Sequence, residues 1–295
     1  MRISNQGSAL RLLTHLQTAQ TRLAETQERI TSGRRINRPS DDPFGTSSAL
    51  ADHSTLDRVA QQQRTVTIAR AELGATESVL DNLGQVLARV QELSVQADSS
   101  AIDSTARKQV AAEVSQLISQ TLTLGNTSYA GRRLFAGQQT QTAPFVEDVP
   151  GSPAAVTFAG DAGLVVREIG DGEQMAMNLD GDAIFTSIFQ KLITFRDALN
   201  TNDLATIGTI STAISAEIDS TLQARGVIGA RMRGLDLAET RLSDITLQLQ
   251  QNIANVEEVD LTQEVVELQT RETALQAALA ATGRSLTVSL LDFLR

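Results

Sequence analysis

The sequence contains no cysteine and no tryptophan, and only 3% of its 295 residues are aromatic. The missing cysteine excludes disulfides, thiol catalysis and thiolate metal sites. Compact globular cores usually contain more aromatic rings, whereas long helical bundles can pack on Leu, Ile, Val and Ala alone. The composition therefore favours an elongated helical protein.

Long apolar runs and an excess of positive charge are also missing. No segment reaches the roughly 18 consecutive apolar residues that a membrane-spanning helix needs, so no membrane insertion is expected. The N-terminal MRISNQGSALRLLTHL has no continuous apolar stretch, so any export is expected to proceed without a cleaved signal peptide. The formal net charge of −10 argues against nucleic acid and against an anionic membrane surface as partners.

The motifs of common catalytic and metal sites are absent as well. His15 and His53 are the only histidines, and neither lies in an HExxH motif, so a zinc site is not expected. The sequence has no phosphate-binding glycine loop and no Gly-x-Ser-x-Gly motif. We therefore predict no catalytic residues, no metal and no cofactor.

A helical repeat dominates what is present. From Ala49 to about Ala97, apolar residues recur at alternating steps of three and four, which is the period of a coiled-coil seam. The predicted seam positions are Val59, Gln62, Val66, Ala69, Leu73, Thr76, Leu80, Leu83, Leu87, Val90, Ser94 and Ala97. Further helices are predicted over residues 3–31, 106–124, 182–199, 203–256 (loosened near Gly226 and Gly229) and 261–291. The predicted apolar faces are Val110, Val114, Leu117, Thr121 and Leu124 on the helix 106–124 and Ile188, Leu192, Phe195 and Leu199 on the helix 182–199. The predicted seam of the last helix is Leu261, Val265, Leu268, Glu272, Leu275, Leu279, Thr282, Leu286, Ser289 and Phe293.

The composition changes near Tyr129, where Gly, Pro and short β-type runs replace the helical period. The predicted fold class is mainly α, a long antiparallel helical or coiled-coil rod built from both termini, with a small β-rich domain inserted at the far end. The predicted segments are an N-terminal assembly helix with its connecting loop (1–48), the N-terminal half of the rod (49–130), the β-rich insertion (131–181), the C-terminal half of the rod (182–256) and a C-terminal assembly helix (257–295).

The stretch SGRRINRPSDDPFG, Ser32 to Gly45, interrupts this helical pattern. Gly33 is expected to end the first helix in the left-handed conformation. Ser40 is predicted to be the N-cap of the next helix, with Asp41 and Asp42 in its first turn and Pro43 near its start.

This stretch carries a family resemblance. Ile30 to Leu50, ITSGRRINRPSDDPFGTSSAL, closely resembles the N-terminal segment of the bacterial flagellin family. Leu87 to Ser100 and Gly226 to Arg295 also resemble flagellin segments. The resemblance implies a self-assembling structural protein whose terminal helices fold together in a tube. Within the family, Gly131 to Phe145 is similar to members at the junction between hook and filament, and a short filament flagellin is the alternative.

The resemblance also implies partners and contact residues. The implied partners are further copies in a ring or tube, a neighbouring hook-associated protein, flagellin, and an export chaperone at the C-terminal helix. The implied location is the extracellular flagellum. The predicted subunit contacts are Arg34, Arg35, Asn37, Arg38, Asp41, Asp42, Pro43, Leu10, Leu13, Leu23, Leu268, Leu275, Leu279 and Leu286.

Other functions receive less support from the sequence. A secreted coiled-coil effector that forms pores would need a long apolar hairpin, which is absent. An enzyme in the insertion would need a catalytic motif. Arg89, Glu92 and Leu93 match the flagellin segment that an innate immune receptor recognises, and the alternative is an ordinary helix surface.

Overall fold

The computed structural model describes residues 2–99 and 102–293, with side chains over residues 10–99 and 102–283. It forms two compact units, Met1–Val59 with Asp244–Arg295 and, separately, Ala60–Ser243. The helices are α1 (Arg2–Ser32), α2 (Pro43–Asp98), α3 (Ser104–Gly125), α4 (Ser187–Thr201), α5 (Leu204–Glu257) and α6 (Leu261–Phe293). A π-helical turn, Asp182–Thr186, leads into α4.

The predicted seam forms the buried side of α2. Every seam position from Val59 to Ala97 is buried except Gln62, which is half-buried. A strict step of three and four keeps these side chains on one side of the helix, so the polar Thr76 and Ser94 are buried along with the leucines. Both hydroxyls donate to carbonyls in the preceding turn of α2, which satisfies them away from water.

Helices α3, α4 and α5 contribute the rest of the core of the second unit. The predicted face of α4 is buried, as are three of the positions predicted on α3. These residues are Ile188, Leu192, Phe195 and Leu199 on α4, and Val110, Val114 and Thr121 on α3. Helix α5 adds Ile207, Ile210, Ile214 and Ile228. The predicted loosening at Gly226 and Gly229 does not interrupt α5, which is helical throughout its length.

Polar contacts between α2 and α5 show the relative direction of the two helices within the second unit. Arg70 pairs with Glu239 at 2.7 Å, whereas Arg225 pairs with Glu77 at 2.7 Å. The side chain of Gln91 donates to Ser215 at 2.9 Å. Residue numbers rise along α2 as they fall along α5, so the two helices run antiparallel here.

The strands form three separate two-stranded ribbons within the described residues, where the sequence predicted a β-rich domain. All three ribbons are antiparallel. They are β1 (Ser128–Tyr129) with β2 (Arg132–Arg133), β3 (Phe145–Glu147) with β4 (Val156–Phe158), and β5 (Val166–Gly170) with β6 (Glu173–Ala176). Such short ribbons are marginal alone and need an apolar cluster to hold them.

Phenylalanine rings supply that cluster for the β3–β4 ribbon. Phe145 on β3 lies 5.3 Å from Phe158 on β4, between ring centroids, and 5.2 Å from Phe185 in the π-helical turn. Phe185 in turn contacts Phe135 edge-on at 4.9 Å. Because these rings come from strands, a loop and the approach to α4, they anchor the β3–β4 ribbon to the helical core.

A tight turn lies beside this cluster. Gly137 adopts φ +67°, and its Cα faces the backbone carbonyl and carboxylate of Asp161 so closely that a Cβ would overlap both. The Asp161 carboxylate accepts 2.8 Å hydrogen bonds from the backbone N–H groups of Gln138 and Gly163, and these bonds lower its pKa. Asp161 therefore joins two loops whose backbones have no strand ladder between them.

In the first unit, α1 and α6 run antiparallel. Arg29 pairs with Glu264 at 2.6 Å, and the Arg271 guanidinium donates to the carbonyl of Arg22 at 2.5 Å. Each step toward the start of α1 is matched by a step toward the end of α6. The predicted pairing of the two terminal helices is confirmed in this arrangement.

Candidate assembly surface at the paired terminal helices

The connecting loop, residues 33–42, is built by glycine and aspartate. Gly33 has φ +70° and its N–H donates to the carbonyl of Arg29, which confirms the predicted end of α1. The prediction of Ser40 as the N-cap is wrong. Helix α2 begins at Pro43, and the Asp42 carboxylate accepts from the N–H of Gly45 at 2.8 Å. Asp42 is therefore the N-cap, with proline at the first helical position.

Asp41 organises the turn before that cap. Its carboxylate accepts from the backbone N–H groups of Asn37 and Arg38 at 3.2 and 2.9 Å. A proline follows Arg38, so this short segment cannot form helix and needs a side-chain acceptor instead. The two adjacent aspartates thus point to different partners and do not form a joint site.

The loop docks onto the connection between α5 and α6. The N–H of Arg35 donates to the carbonyl of Glu257 at 2.6 Å, and the N–H of Val259 donates to the carbonyl of Gly33 at 3.1 Å. The Arg35 guanidinium adds a 2.8 Å bond to the carbonyl of Val256 and a 3.2 Å bond to Asp42. Arg35 therefore joins the loop, the cap of α2 and the last turn of α5.

Charged side chains surround this docking point. Glu257 accepts from His53 at 3.0 Å and lies 3.8 Å from Arg34. Arg38 pairs with Glu28 on α1 at 3.2 Å, and its side chain stays two thirds exposed. The N–H of Gly45, followed by the Arg35 guanidinium, holds the pKa of Asp42 below its usual value. The arrangement favours the ionised carboxylate at the N-terminus of α2.

Asp42→Ala is expected to lower the thermal midpoint of the protein by a few degrees, because the cap and the partner of Arg35 are both lost. The loss should be full above the ordinary pKa of Asp42. The difference in thermal midpoint between wild type and variant should shrink as the pH falls below about 4. There the wild-type carboxylate becomes protonated as the pH passes its lowered folded-state pKa, so the wild type loses the same interactions. Thermal unfolding by circular dichroism from pH 7 to pH 3 measures this. Asp57→Ala, an exposed α2 carboxylate, is the control, and an equal loss in both variants would contradict the capping role.

Apolar side chains of α1 and α6 remain uncovered in the single chain. Leu10 and Leu13 on α1 are 65% and 55% exposed. On α6, Leu261, Val265 and Leu279 are 52%, 44% and 50% exposed. These three residues are separated by nearly whole numbers of helical turns, so they lie on one side of α6. We call this exposed set the α6 stripe.

The face of α6 turned toward α1 is offset from the predicted seam. Leu268, Leu275 and Thr282 are half-buried as the seam requires. At the intervening steps the covered side chains are Glu264, Arg271 and Ala278, in place of the predicted Val265, Glu272 and Leu279. The ion pair of Glu264 with Arg29 and the bond from Arg271 to α1 place polar groups on the inner side, which turns the α6 stripe outward.

The predicted contact residues divide into two groups. The first group lies in or beside the connecting loop and consists of Arg34, Arg35, Asn37, Arg38, Asp41, Asp42 and Pro43. The second group lies on α1 and α6, where Leu23, Leu268 and Leu275 are half-buried and Leu10, Leu13 and Leu279 are exposed. The side chain of Leu286 lies outside the described residues. Contact with another subunit remains a prediction for all of them.

Sequence reasoning missed several residues of this surface. The carbonyls of Val256 and Glu257 receive Arg35, yet backbone acceptors leave no signal in a sequence. Phe44 was also missed, and its ring is 86% exposed at the first turn of α2. A phenylalanine directly after a helix-starting proline, in a chain with so few rings, was the available clue.

The segment that resembles an immune-receptor epitope lies in the second unit. Leu93 is buried, so its side chain is not presented at the surface. Arg89 is exposed but pairs with Glu92 at 2.9 Å and with Glu113 of α3 at 2.7 Å. Receptor binding remains a prediction, and it would have to use Arg89 and Glu92.

Over residues 2–99 and 102–293, no group of three or more His, Asp or Glu side chains is placed to hold a metal ion. None of the helices in these ranges combines the length and the hydropathy of a membrane-spanning segment.

These features define a mainly α-helical protein whose first and last helices pair and whose strands lie in the middle of the chain. A model of the bacterial flagellin N-terminal helical region matches residues 3–140, and a model of the C-terminal helical region matches residues 210–294. Together they span about three quarters of the chain. The chain belongs to the bacterial flagellin family.

Relatives within that family differ in how much of the chain they match. Flagellar hook-associated protein 3 of Escherichia coli K12 is 26% identical over 95% of this chain and 96% of that protein. Flagellin of Salmonella typhimurium is 29% identical, but over 46% of this chain and 28% of that protein. The crystal structure of Bacillus cereus FlgL shares the fold, with a TM-score of 0.61, 22% identity, and coverage of 69% of this chain and 99% of that one.

Proposed function

We propose that this chain is a structural component of the bacterial flagellum that polymerises between hook and filament and adapts one to the other. The observation that carries the proposal is the extent of the match to hook-associated protein 3, which spans nearly the whole of both chains. The match to filament flagellin covers less than half of this chain. A junction protein is therefore favoured over a short filament flagellin.

Self-association would use the paired terminal helices. A single chain leaves Leu10 and Leu13 of α1 and the α6 stripe in water, which opposes a stable isolated pair. Packing against other copies would bury these side chains and offset the entropy of ordering two long helices. The proposed partners are further copies of this chain, a neighbouring hook-associated protein and flagellin, and the role is structural rather than catalytic.

Export would deliver the chain to the cell exterior through the flagellar channel, without a cleaved signal peptide. The absence of cysteine suits a chain that must pass unfolded, because no disulfide can form before assembly. An export chaperone would cover the apolar residues of α6 until then. Its proposed docking residues are the same as those that later contact other subunits.

Deletion of the gene tests the junction role directly. Electron microscopy of the deletion strain should show complete hooks without filaments, and immunoblots should find flagellin in the medium. A plasmid copy of the gene should restore attached filaments. Loss of flagellin from the medium, or filaments that stay attached, would contradict the junction role and favour a filament subunit.

A further inference from the structure

The terminal helices α1 and α6 pack through a layered seam. On both helices the covered side chains recur at steps of three and four, and residue numbers fall along α1 as they rise along α6. The matched layers, starting beside the connecting loop, are Ile30 with Glu264, Thr26 with Leu268, Leu23 with Arg271, Ala19 with Leu275, Leu16 with Ala278, and Leu12 with Thr282. The contacts of Arg29 with Glu264 and of Arg271 with the carbonyl of Arg22 agree with this register to within one residue.

The layers of this seam are matched in size. Leu16 lies opposite Ala278, and Ala19 lies opposite Leu275, so a large side chain meets a small one in both layers. A slip of one heptad would place Ala19 opposite Thr282, and two small side chains would leave a void. Size matching therefore opposes sliding of α6 along α1, but it does not oppose rotation of α6 about its own axis.

A second, more apolar side of α6 lies next to the side that faces α1. Val265 and Leu279 directly follow the covered Glu264 and Ala278, and successive residues lie about 100° apart around a helix. A rotation of α6 by less than that angle would bury Val265 and Leu279 and keep Leu275 on the inner side. Val265 and Leu279 are 44% and 50% exposed in the structure, so burial of apolar surface favours the rotated arrangement.

The Arg29–Glu264 ion pair opposes that rotation. The Nε of Arg29 lies 2.6 Å from the Glu264 carboxylate, and the Glu264 side chain is only 8% exposed. The pair lies in the first turn of α6, where Asp260 caps the helix by accepting from the N–H groups of Thr262 and Gln263. A covered ion pair adds little stability compared with apolar side chains, but breaking it is costly, so it selects one arrangement over another.

We propose that α6 has two packing rotations on α1 and that the Arg29–Glu264 ion pair selects the one that leaves the α6 stripe free. In the other rotation the stripe packs against α1 of its own chain, so it is closed to other copies. Arg29 and Glu264 are positioning residues, because they act through the orientation of α6. This inference rests on the proposed self-association and names the pair that keeps its surface available.

The absence of cysteine allows the rotation to be measured by disulfide trapping. Ala19→Cys with Leu275→Cys reports the rotation seen in the structure, and Ala19→Cys with Glu272→Cys reports the alternative. Both reporters are placed in the full chain, with and without Arg29→Ala plus Glu264→Ala. Chains from flagella and from the medium are oxidised, and linked peptides are quantified by mass spectrometry. With the ion pair, the 19–275 bond should exceed the 19–272 bond at least fivefold. Without it, this ratio should fall at least fivefold.

Incorporation into flagella gives an independent readout. Arg29→Glu and Glu264→Arg, each alone, should reduce the amount of chain in sheared flagella at least tenfold, and the two together should restore most of it. The control, Glu113→Arg, reverses a charge in the exposed Arg89–Glu113 pair of the second unit and should incorporate normally. Failure of the double reversal to restore incorporation would contradict the role of the ion pair.

The disulfide ratio separates orientation from simple stabilisation. An unchanged ratio in the chain with Arg29→Ala and Glu264→Ala would overturn the inference, because the ion pair would not set the rotation. Loss of both disulfides would also overturn it, since the pair would then hold the helices together without orienting them. In both cases the proposed function stands if the wild-type chain is present in flagella. Absence of the wild-type chain from flagella would overturn both.

Discussion

Replacing both Val265 and Leu279 by aspartate is expected to abolish incorporation into the flagellum, with little change in the stability of the free chain. Both side chains are about half exposed on the α6 stripe, so the carboxylates remain in water before assembly. If the stripe packs against other copies, each carboxylate would be buried without a partner. Burying the carboxylates reduces the free energy of association by about 3 kcal/mol or more per copy. The affinity between copies should therefore fall roughly a hundredfold or more.

The control places the same charge on another exposed side of α6. Thr270 and Ala277 are both exposed and lie two helical turns apart, away from both α1 and the α6 stripe. Thr270→Asp with Ala277→Asp should incorporate normally. Immunoblots of sheared flagella and thermal unfolding of the purified chains give the two readouts. Normal incorporation of the stripe variant would exclude the α6 stripe as an assembly contact.

Gly137→Ala is expected to destabilise the second unit by about 3 kcal/mol or more. An L-residue at φ +67° already costs about 1–2 kcal/mol. The new methyl group would also overlap the carbonyl and carboxylate of Asp161, so the two loops that Asp161 joins must separate. The β3–β4 ribbon and the phenylalanine cluster lie directly beside that junction.

Gly151→Ala separates these two effects. Gly151 has φ +78° in the turn between β3 and β4, but a Cβ there meets no atom within 4 Å. This variant should lose only about 1 kcal/mol. Urea unfolding followed by near-ultraviolet circular dichroism of the rings measures both. Equal losses would mean that backbone strain alone, and not contact with Asp161, sets the cost.

The helices were predictable because each carries its own repeating pattern. The predicted seam of α2 is buried from Val59 to Ala97, because a repeat of three and four places these apolar residues on one side of a helix. The end of α1 at Gly33 was equally local, because the left-handed conformation favours glycine. The separate two-stranded ribbons were not predictable, because strand pairing depends on contacts between residues distant in sequence.

The details of the assembly surface depended on tertiary contacts. Ser40, Asp41 and Asp42 can each cap a helix, and the choice of Asp42 follows from the turn that Asp41 holds. On α6, hydrophobicity favoured Val265 and Leu279 on the inner side. Ion pairing with α1 placed Glu264 there instead. A sequence pattern records which residues are apolar but not which of them another chain will cover.

The pairing of α1 with α6 also has a kinetic consequence. Arg29 and Glu264 are 235 residues apart, so one of the largest loops that the chain can form must close before they meet. At a synthesis rate of about 5–20 residues per second, the ribosome needs roughly 10–50 s between making the two helices. During that interval α1 has no partner in its own chain. Its uncovered leucines are therefore open to chaperones and to misassociation long before α6 exists.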